Sequence, residues 1–363
     1  MNRVLDILIP SFNRPSKLYA FLKSGMDLDL DYVHFVVIDD GSFIEEDVSD
    51  LGRVGTREVC MHFKDDRIVY IRNEINIGLA NSWVNYFSNY SQANYVMSVV
   101  DKDEFVDGSA ITEAVEKMDR DPSLCMVFIP IIDHNNGEDF IFDFKYEKLT
   151  GREFVKAFVR DEALQHTGGY AIKRMRDLQK AGVPRNMNLD RYGLQDAFGI
   201  DIDLVLMLST QGNVGFTSRP YVKRCRGGGS TEKKPLSFAY TYYQYAKRTM
   251  ADLIQLGAVT PEDASAYLGW WHLLILRGVQ SVYTPFDSAT ERGSELIKSH
   301  LRFPILLYVL WEMYRLNIPL AAEHRILFRQ NFFLVIPGGK IIRNLGRNLL
   351  KYCRRIHNNS VLG

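Results

Sequence analysis

The chain has 363 residues, of which 46% are hydrophobic and 24% charged, with a formal net charge of zero. At roughly 100–200 residues per domain this allows two domains, or one large domain with an appendage, and a core large enough to need no covalent staples. Its four cysteines (Cys60, Cys125, Cys225 and Cys353) stand far apart and form no C-x-x-C pair, which excludes a disulfide framework and a zinc site and points to a reducing, cytoplasmic setting.

The opening residues, MNRVLDILIPSF, carry an Asp inside the apolar run and no small-residue cleavage site. They read as a first core strand over 4–9 rather than as a signal peptide. A helix is expected over 16–23, with Leu18, Phe21 and Leu22 at helical spacing, then a β-branched strand over 34–38 that ends at Asp39, Asp40, Gly41 and Ser42. A third strand is expected at 68–71, a helix over 79–90 after Gly78, and a fourth strand at 95–100. Short, wholly apolar strands alternating with helices imply a mostly parallel sheet covered on both faces, with function collected at the carboxyl ends of the strands.

Further on, residues 110–120 read as a helix, 125–132 as a strand and 139–144 as a short one. Helices are expected over 152–159, 171–180 and 197–208, and a strand at 214–216. Three glycines in 225–230 mark a mobile or ligand-facing loop. From residue 238 the pattern is helical and aromatic, so a division near residue 230 separates 1–230 from a helical region, 231–363. No run of roughly 18 uninterrupted apolar residues occurs, which argues against a spanning helix.

Asp101, Lys102 and Asp103 follow the fourth strand. Two acids so close repel unless a positive charge lies between them, and carboxylate oxygens suit a hard divalent cation such as Mg²⁺ or Mn²⁺. The alternative for this triplet alone is a solvated acidic turn. Three further strand ends supply polar groups to the same edge. They are Pro10, Ser11, Phe12, Asn13 and Arg14; Asp39, Asp40, Gly41 and Ser42; and Arg72 and Asn73 with Asn76, Gly78 and Asn81.

This ordered set resembles the family 2 glycosyltransferases of GT-A fold, whose signs are a strand leading to P-x-[FY]-N-R, a strand leading to D-D-G-S, an N-x-G element with a following Asn, and a strand leading to D-x-D. The resemblance covers residues 4–105 closely, 106–230 more loosely and the last third not at all. It implies an α/β catalytic domain with a Rossmann-like, mostly parallel sheet, a C-terminal helical extension, and a nucleotide diphosphate sugar as donor. By resemblance, Pro10, Ser11, Asn13 and Arg14 line the base and ribose, with Asn76, Gly78 and Asn81 nearby. Asp39 and Asp40 take base N–H or ribose hydroxyls, as carboxylates can. Asp101 serves the ribose or the metal, Asp103 ligates the metal, and Lys102 is either a phosphate contact or a solvated side chain.

The stretch from Gly199 to Leu204 looks like the family's E-D-x-D-L element, with Ile200 where Glu is common. Asp201 falls on the usual position of the base, against the alternative of a helix cap; Asp196 is the reserve candidate and Asp203 a surface residue. Arg226, beside Lys223 and Arg224, falls where the family closes a basic loop on the diphosphate. His166, Gly168 and Gly169 fall where donor sugar and acceptor meet. The reaction implied is inverting, metal-assisted transfer to a hydroxyl of a glycan or lipid-linked glycan in surface polysaccharide synthesis. A nucleotidyltransferase is the second class, but it calls for a Gly-rich phosphate loop after the first strand, where this chain has P-S-F-N-R-P. A non-catalytic nucleotide-sugar-binding relative is the third.

After Glu323 there is no acidic residue, and Arg343, Arg347, Lys351, Arg354 and Arg355 lie mostly off the apolar face formed by Ile341, Leu345, Leu349, Tyr352 and Ile356. Such a basic amphipathic helix fits an anionic membrane surface, making the protein peripheral on the cytoplasmic face; it equally fits packing on its own domain or another subunit. No nucleic-acid partner is expected, because no module that reads bases accompanies the basic residues.

Overall fold

A computed structural model describes residues 4–135, 137–159, 162–182, 200–225, 235–265 and 267–269. Strands β1 (Leu5–Ser11) and β2 (Val33–Asp39) are buried almost throughout, as apolar strands covered on both faces must be. They pair in parallel, Leu5 to Val33 through Ser11 to Asp39. On the far side of β2, β5 (Ile68–Arg72) continues the parallel order and ends with Arg72 opposite Asp39. The chain then returns past β1 to place β6 (Tyr95–Ser98) parallel on its other side. This reversal of strand order makes the carboxyl ends of β1 and β6 a topological switch point, where open α/β sheets bind their ligands.

Helix α1 (Pro15–Met26) starts with a proline, which suits a first turn because its missing N–H has no partner there anyway. It buries Leu18, Phe21 and Leu22 on the sheet. Helices α2 (Thr56–His62), α3 (Leu79–Asn89) and α4 (Gly108–Arg120) cover the sheet as crossovers. A hairpin of β3 (Glu46–Val48) and β4 (Gly52–Val54) stands apart.

The sheet extends as β6–β12–β8–β13–β11, with β8 (Leu124–Phe128), β11 (Lys148–Leu149), β12 (Ile172–Arg174) and β13 (Asn213–Phe216). Strand β12 runs antiparallel between β6 and β8. The helix expected over 171–180 therefore begins only at Met175, as α7 (Met175–Ala181). Ala171 and Ile172 are fully buried, and the gap between two strands overrides their helical spacing.

The strand expected over 125–132 is also two elements. Pro130, which has no N–H for a ladder, separates β8 from β9 (Ile131–Asn135). That strand joins a second sheet of order β10–β9–β14–β7, with β7 (Glu104–Phe105), β10 (Glu138–Phe142) and β14 (Val222–Cys225). Helices α5 (Gly151–Phe158), α6 (Glu162–Thr167), α8 (Ile200–Leu208) and α9 (Pro235–Gln255) complete the described elements.

Residues Thr241–Tyr267 belong to the same compact unit as the main sheet, so that unit takes in a segment beyond the expected division at 230. Thr249 of α9 donates to the buried Asp203 at 2.6 Å, and the Phe158 and Tyr267 rings meet edge to face. No helix among the described residues is long and apolar enough to cross a membrane. The basic segment 340–357, Asp196, Arg226 and the glycines after it lie outside the described residues.

Candidate active site

At the ends of β1, β2 and β5 the loops are tied to one another. Asn13 adopts a left-handed backbone, φ 57°, which Asn tolerates better than most side chains. Its amide N–H donates to Ser42 Oγ at 2.9 Å, and its Oδ1 accepts from the Phe43 and Ile44 amides at 2.8 and 3.1 Å. Gly41 has φ +75°, and a Cβ there would lie 2.7 Å from the backbone of Ile75, so the glycine of D-D-G-S is set by loop-on-loop packing.

The two aspartates of that motif are largely engaged by the protein. Asp39 accepts from the Ser42 amide at 2.8 Å, Tyr70 Oη at 2.6 Å and Arg72 Nη1 at 2.7 Å. Asp40 accepts from Asn73 Nδ2, the Ile77 amide and the Gly78 amide, each at 2.9 Å. A carboxylate has about four acceptor positions, so three of them in each case go to fixing the loops at this sheet edge. Asn81 Nδ2 donates back to the Ile77 carbonyl at 2.8 Å, closing the same loop, whereas Asn76 is exposed at its tip. Pro10 is half-buried at the last turn of β1.

Across the switch point, Asp101 and Asp103 are 1% and 3% exposed, which rules out a solvated acidic turn. Asp101 accepts from Ser11 Oγ at 3.1 Å and from Arg14 Nη1 at 3.2 Å. Burial pushes its carboxyl above the usual range, against the pull of the Arg14 guanidinium. Asp103 accepts on Oδ2 from Tyr170 Oη at 2.9 Å and the Val100 amide at 3.2 Å, while its buried Oδ1 has no hydrogen-bond partner. Burial raises the Asp103 carboxyl to about 6, with the Tyr170 hydroxyl opposing.

No group of three or more His, Cys, Asp or Glu side chains that could hold a metal occurs among the described residues. Mg²⁺ and Mn²⁺ bound with phosphates need only one or two protein carboxylates, so a buried, unpartnered carboxylate oxygen fits such an ion. Lys102 between the two acids is half-buried.

Because its folded value is raised, Asp103 contributes stability that is full below its unfolded value near 3.8 and is lost as pH rises through about 6. Asp103→Asn should therefore unfold at higher denaturant concentration than the native chain at pH 8, and the gain should vanish at pH 4. Chemical denaturation at the two pH values measures this, and equal midpoints at pH 8 would contradict it.

The first turn of α8 carries Asp201. The glycine turn before β12 runs alongside: a Cβ on Gly169 would lie 3.8 Å from Cβ of Asp201, and Gly168 faces Val205 and Phe158. Tyr170, next in sequence, reaches Asp103. The turn thus bonds Asp103 through Tyr170 and passes close to the Cβ of Asp201 at Gly169. His166 lies in α6, but its side chain is outside the described set. Asp203, expected at the surface, is fully buried under α9.

Residues 6–179 match the model of the Glycosyl transferase family 2. This part of the chain is a family 2 glycosyltransferase domain. No curated protein matches the sequence. Among solved structures the chain is similar to residues 1–349 of TarS from S. aureus. In complex with UDP-GlcNAc, TarS aligns at 14% identity over 90% of this chain and 90% of that one, with a TM-score of 0.57. In complex with UDP it aligns at 15% identity over 93% and 95%, with a TM-score of 0.52. At such identity the likeness is one of fold, and it agrees with the GT-A architecture described above.

Several residues of the glycosyltransferase domain become visible only in three dimensions. Lys173 sits in a stretch whose pattern reads as helix, and Tyr170 stands just before it, beside Gly168 and Gly169. Arg224 donates to Asp133 at 2.7 Å across the second sheet, and its charge draws the Asp103 carboxyl down. A signal was present for Arg224, which flanks Arg226 in sequence. None marked Asp133, which stands on an otherwise plain strand.

Proposed function

We propose that this protein transfers a sugar from a nucleoside diphosphate donor to an acceptor hydroxyl, with inversion at the transferred carbon. The observation that carries the reading is the convergence on one sheet edge of Ser11, Arg14, Asp101 and Asp103 with Gly169 and Asp201. The fold likeness to a protein solved with UDP-GlcNAc and UDP supports a nucleotide-sugar donor.

In this reading the base and ribose lie over the ends of β1 and β2, between Asn13, Asp39 and the loop that Asp40 holds. Arg14 and Asp101 meet the ribose side of the diphosphate. Asp103, through its Oδ1, would hold a divalent cation with the diphosphate, and that cation would supply charge neutralisation for the departing nucleotide. Asp201 accepts the acceptor's proton as its oxygen attacks the anomeric carbon from the face opposite the leaving group, which gives inversion. Arg224 adds positive charge on the leaving-group side. The acceptor is a glycan or a lipid-linked glycan in surface polysaccharide synthesis.

The test is a thermal-shift panel of UDP, GDP and dTDP, each with and without Mn²⁺. One diphosphate should raise Tm in the presence of the metal and much less in its absence, because a ligand that binds only the folded state stabilises it by mass action. No response to any diphosphate would overturn the donor site.

A further inference from the structure

Lys173 sits at the centre of β12, flanked by β6 and β8, and is 2% exposed. A lysine in that position is costly, since its ammonium leaves water for a low-dielectric interior. Burial depresses it to about 7, while the nearby Asp201 carboxylate pulls the other way and favours the charged form. An apolar side chain would fill the strand at no such cost, so the ammonium needs a reason to be there.

That reason lies in where its hydrogens go. Nζ donates to the carbonyl of Gly169 at 2.9 Å and to that of Ala171 at 2.7 Å. The Gly169 carbonyl also accepts from Ser98 Oγ, at the end of β6, at 3.0 Å. The turn between these residues holds the site together from both sides. Tyr170 carries the hydrogen bond to Asp103, and at Gly169 the backbone runs so close to Asp201 that an added Cβ would lie 3.8 Å from the Cβ of that residue. Gly168 and Gly169 have no side chains to stiffen their part of the turn, and a side chain from the following strand does so here.

We propose that Lys173 is a positioning residue for transfer. Its ammonium pins the turn of Gly168 to Ala171, with Ser98 as a second anchor, and so holds Asp201 at a fixed distance and orientation from the Asp103 side of the site. It touches neither donor nor acceptor and acts through Asp201. This inference rests on the reading of Asp201 as base.

The test uses Lys173→Met, which keeps the length and removes the donors, in the full chain. With the donor identified by the nucleotide panel, kcat should fall about 100-fold while the donor KM stays within about threefold, the pattern of lost orientation rather than lost binding. In a double-mutant cycle, Lys173→Met should cost far less on an Asp201→Asn background, because the residue it positions no longer acts. A merely structural role would give additive losses, and additivity, or a kcat near native, overturns the proposal.

Should Lys173→Met fail to fold, Ser98→Ala removes the other anchor with little loss of packing, and the same cycle applies. An independent readout needs no substrate: amide exchange in the peptide 166–172 should quicken in either variant, and unchanged protection overturns the proposal. Near-native turnover of Asp201→Asn alone would instead remove the base assignment, leaving the exchange result to report on Lys173.

Discussion

Asp201→Asn is expected to lose about 10²–10⁴ in turnover, the usual worth of a positioned general base, while metal-dependent binding of the nucleotide diphosphate persists. Asn keeps the shape and the acceptor oxygen of Asp at the first turn of α8, so the chief loss is proton acceptance. Stability should therefore be close to native. Asp203, two residues on, makes the contrast. It is fully buried and accepts from Thr249 Oγ1 at 2.6 Å, so Asp203→Asn acts on folding rather than on chemistry. Measuring the transfer rate and the diphosphate thermal shift on the same preparation separates the two effects. Near-normal turnover of Asp201→Asn would sink its assignment as base.

Asp40→Ala should be the most destabilising single change at the nucleotide edge. The carboxylate accepts three hydrogen bonds at 2.9 Å, from Asn73 Nδ2 and the Ile77 and Gly78 amides, and is 7% exposed. Its removal strands three donors in a largely dry pocket, at about 1–3 kcal/mol for each one left unsatisfied. The sum after partial relaxation is about 3–5 kcal/mol, which lowers Tm by roughly 10 °C in a domain of this size. Asn73 would lose its anchor as well, although Ser82 Oγ still accepts from it at 2.9 Å. Calorimetry of the variant decides the matter: a Tm within about 2 °C of native would mean that Asp40 does not carry the loop. If the proposed donor site is right, weaker diphosphate binding should accompany the loss, because the loop of residues 73–78 would border the base.

These results also separate what each carboxylate is for. The resemblance places Asp39 and Asp40 together at the base and ribose, Asp101 at the ribose or the metal, and Asp103 at the metal. In the folded chain the four have four different sets of partners. Asp39 is held by Tyr70 and Arg72, Asp40 by the loop before α3, Asp101 by Ser11 and Arg14, and Asp103 by Tyr170 with one oxygen unpartnered. Only the last has a buried acceptor still free for an ion.

The sequence by itself determined the strands and what stands at their ends. Runs such as HFVVID and YVMSVV are too apolar to be anything but buried, and the period of a strand leaves their polar successors at the sheet edge. Four such ends in order were enough to mark the fold class and the edge at which the proposed donor would bind. The tertiary structure alone decided how residues 171–174 behave, because a short stretch with both helical and strand character yields to the gap it must fill. It also decided the partners of Asp203, Tyr170 and Arg224, which come from residues 46, 67 and 91 positions away. Local pattern reports burial and direction along one element. Which donor meets which carboxylate depends on how distant elements stack, and that is settled only when the two sheets and α8 are packed together.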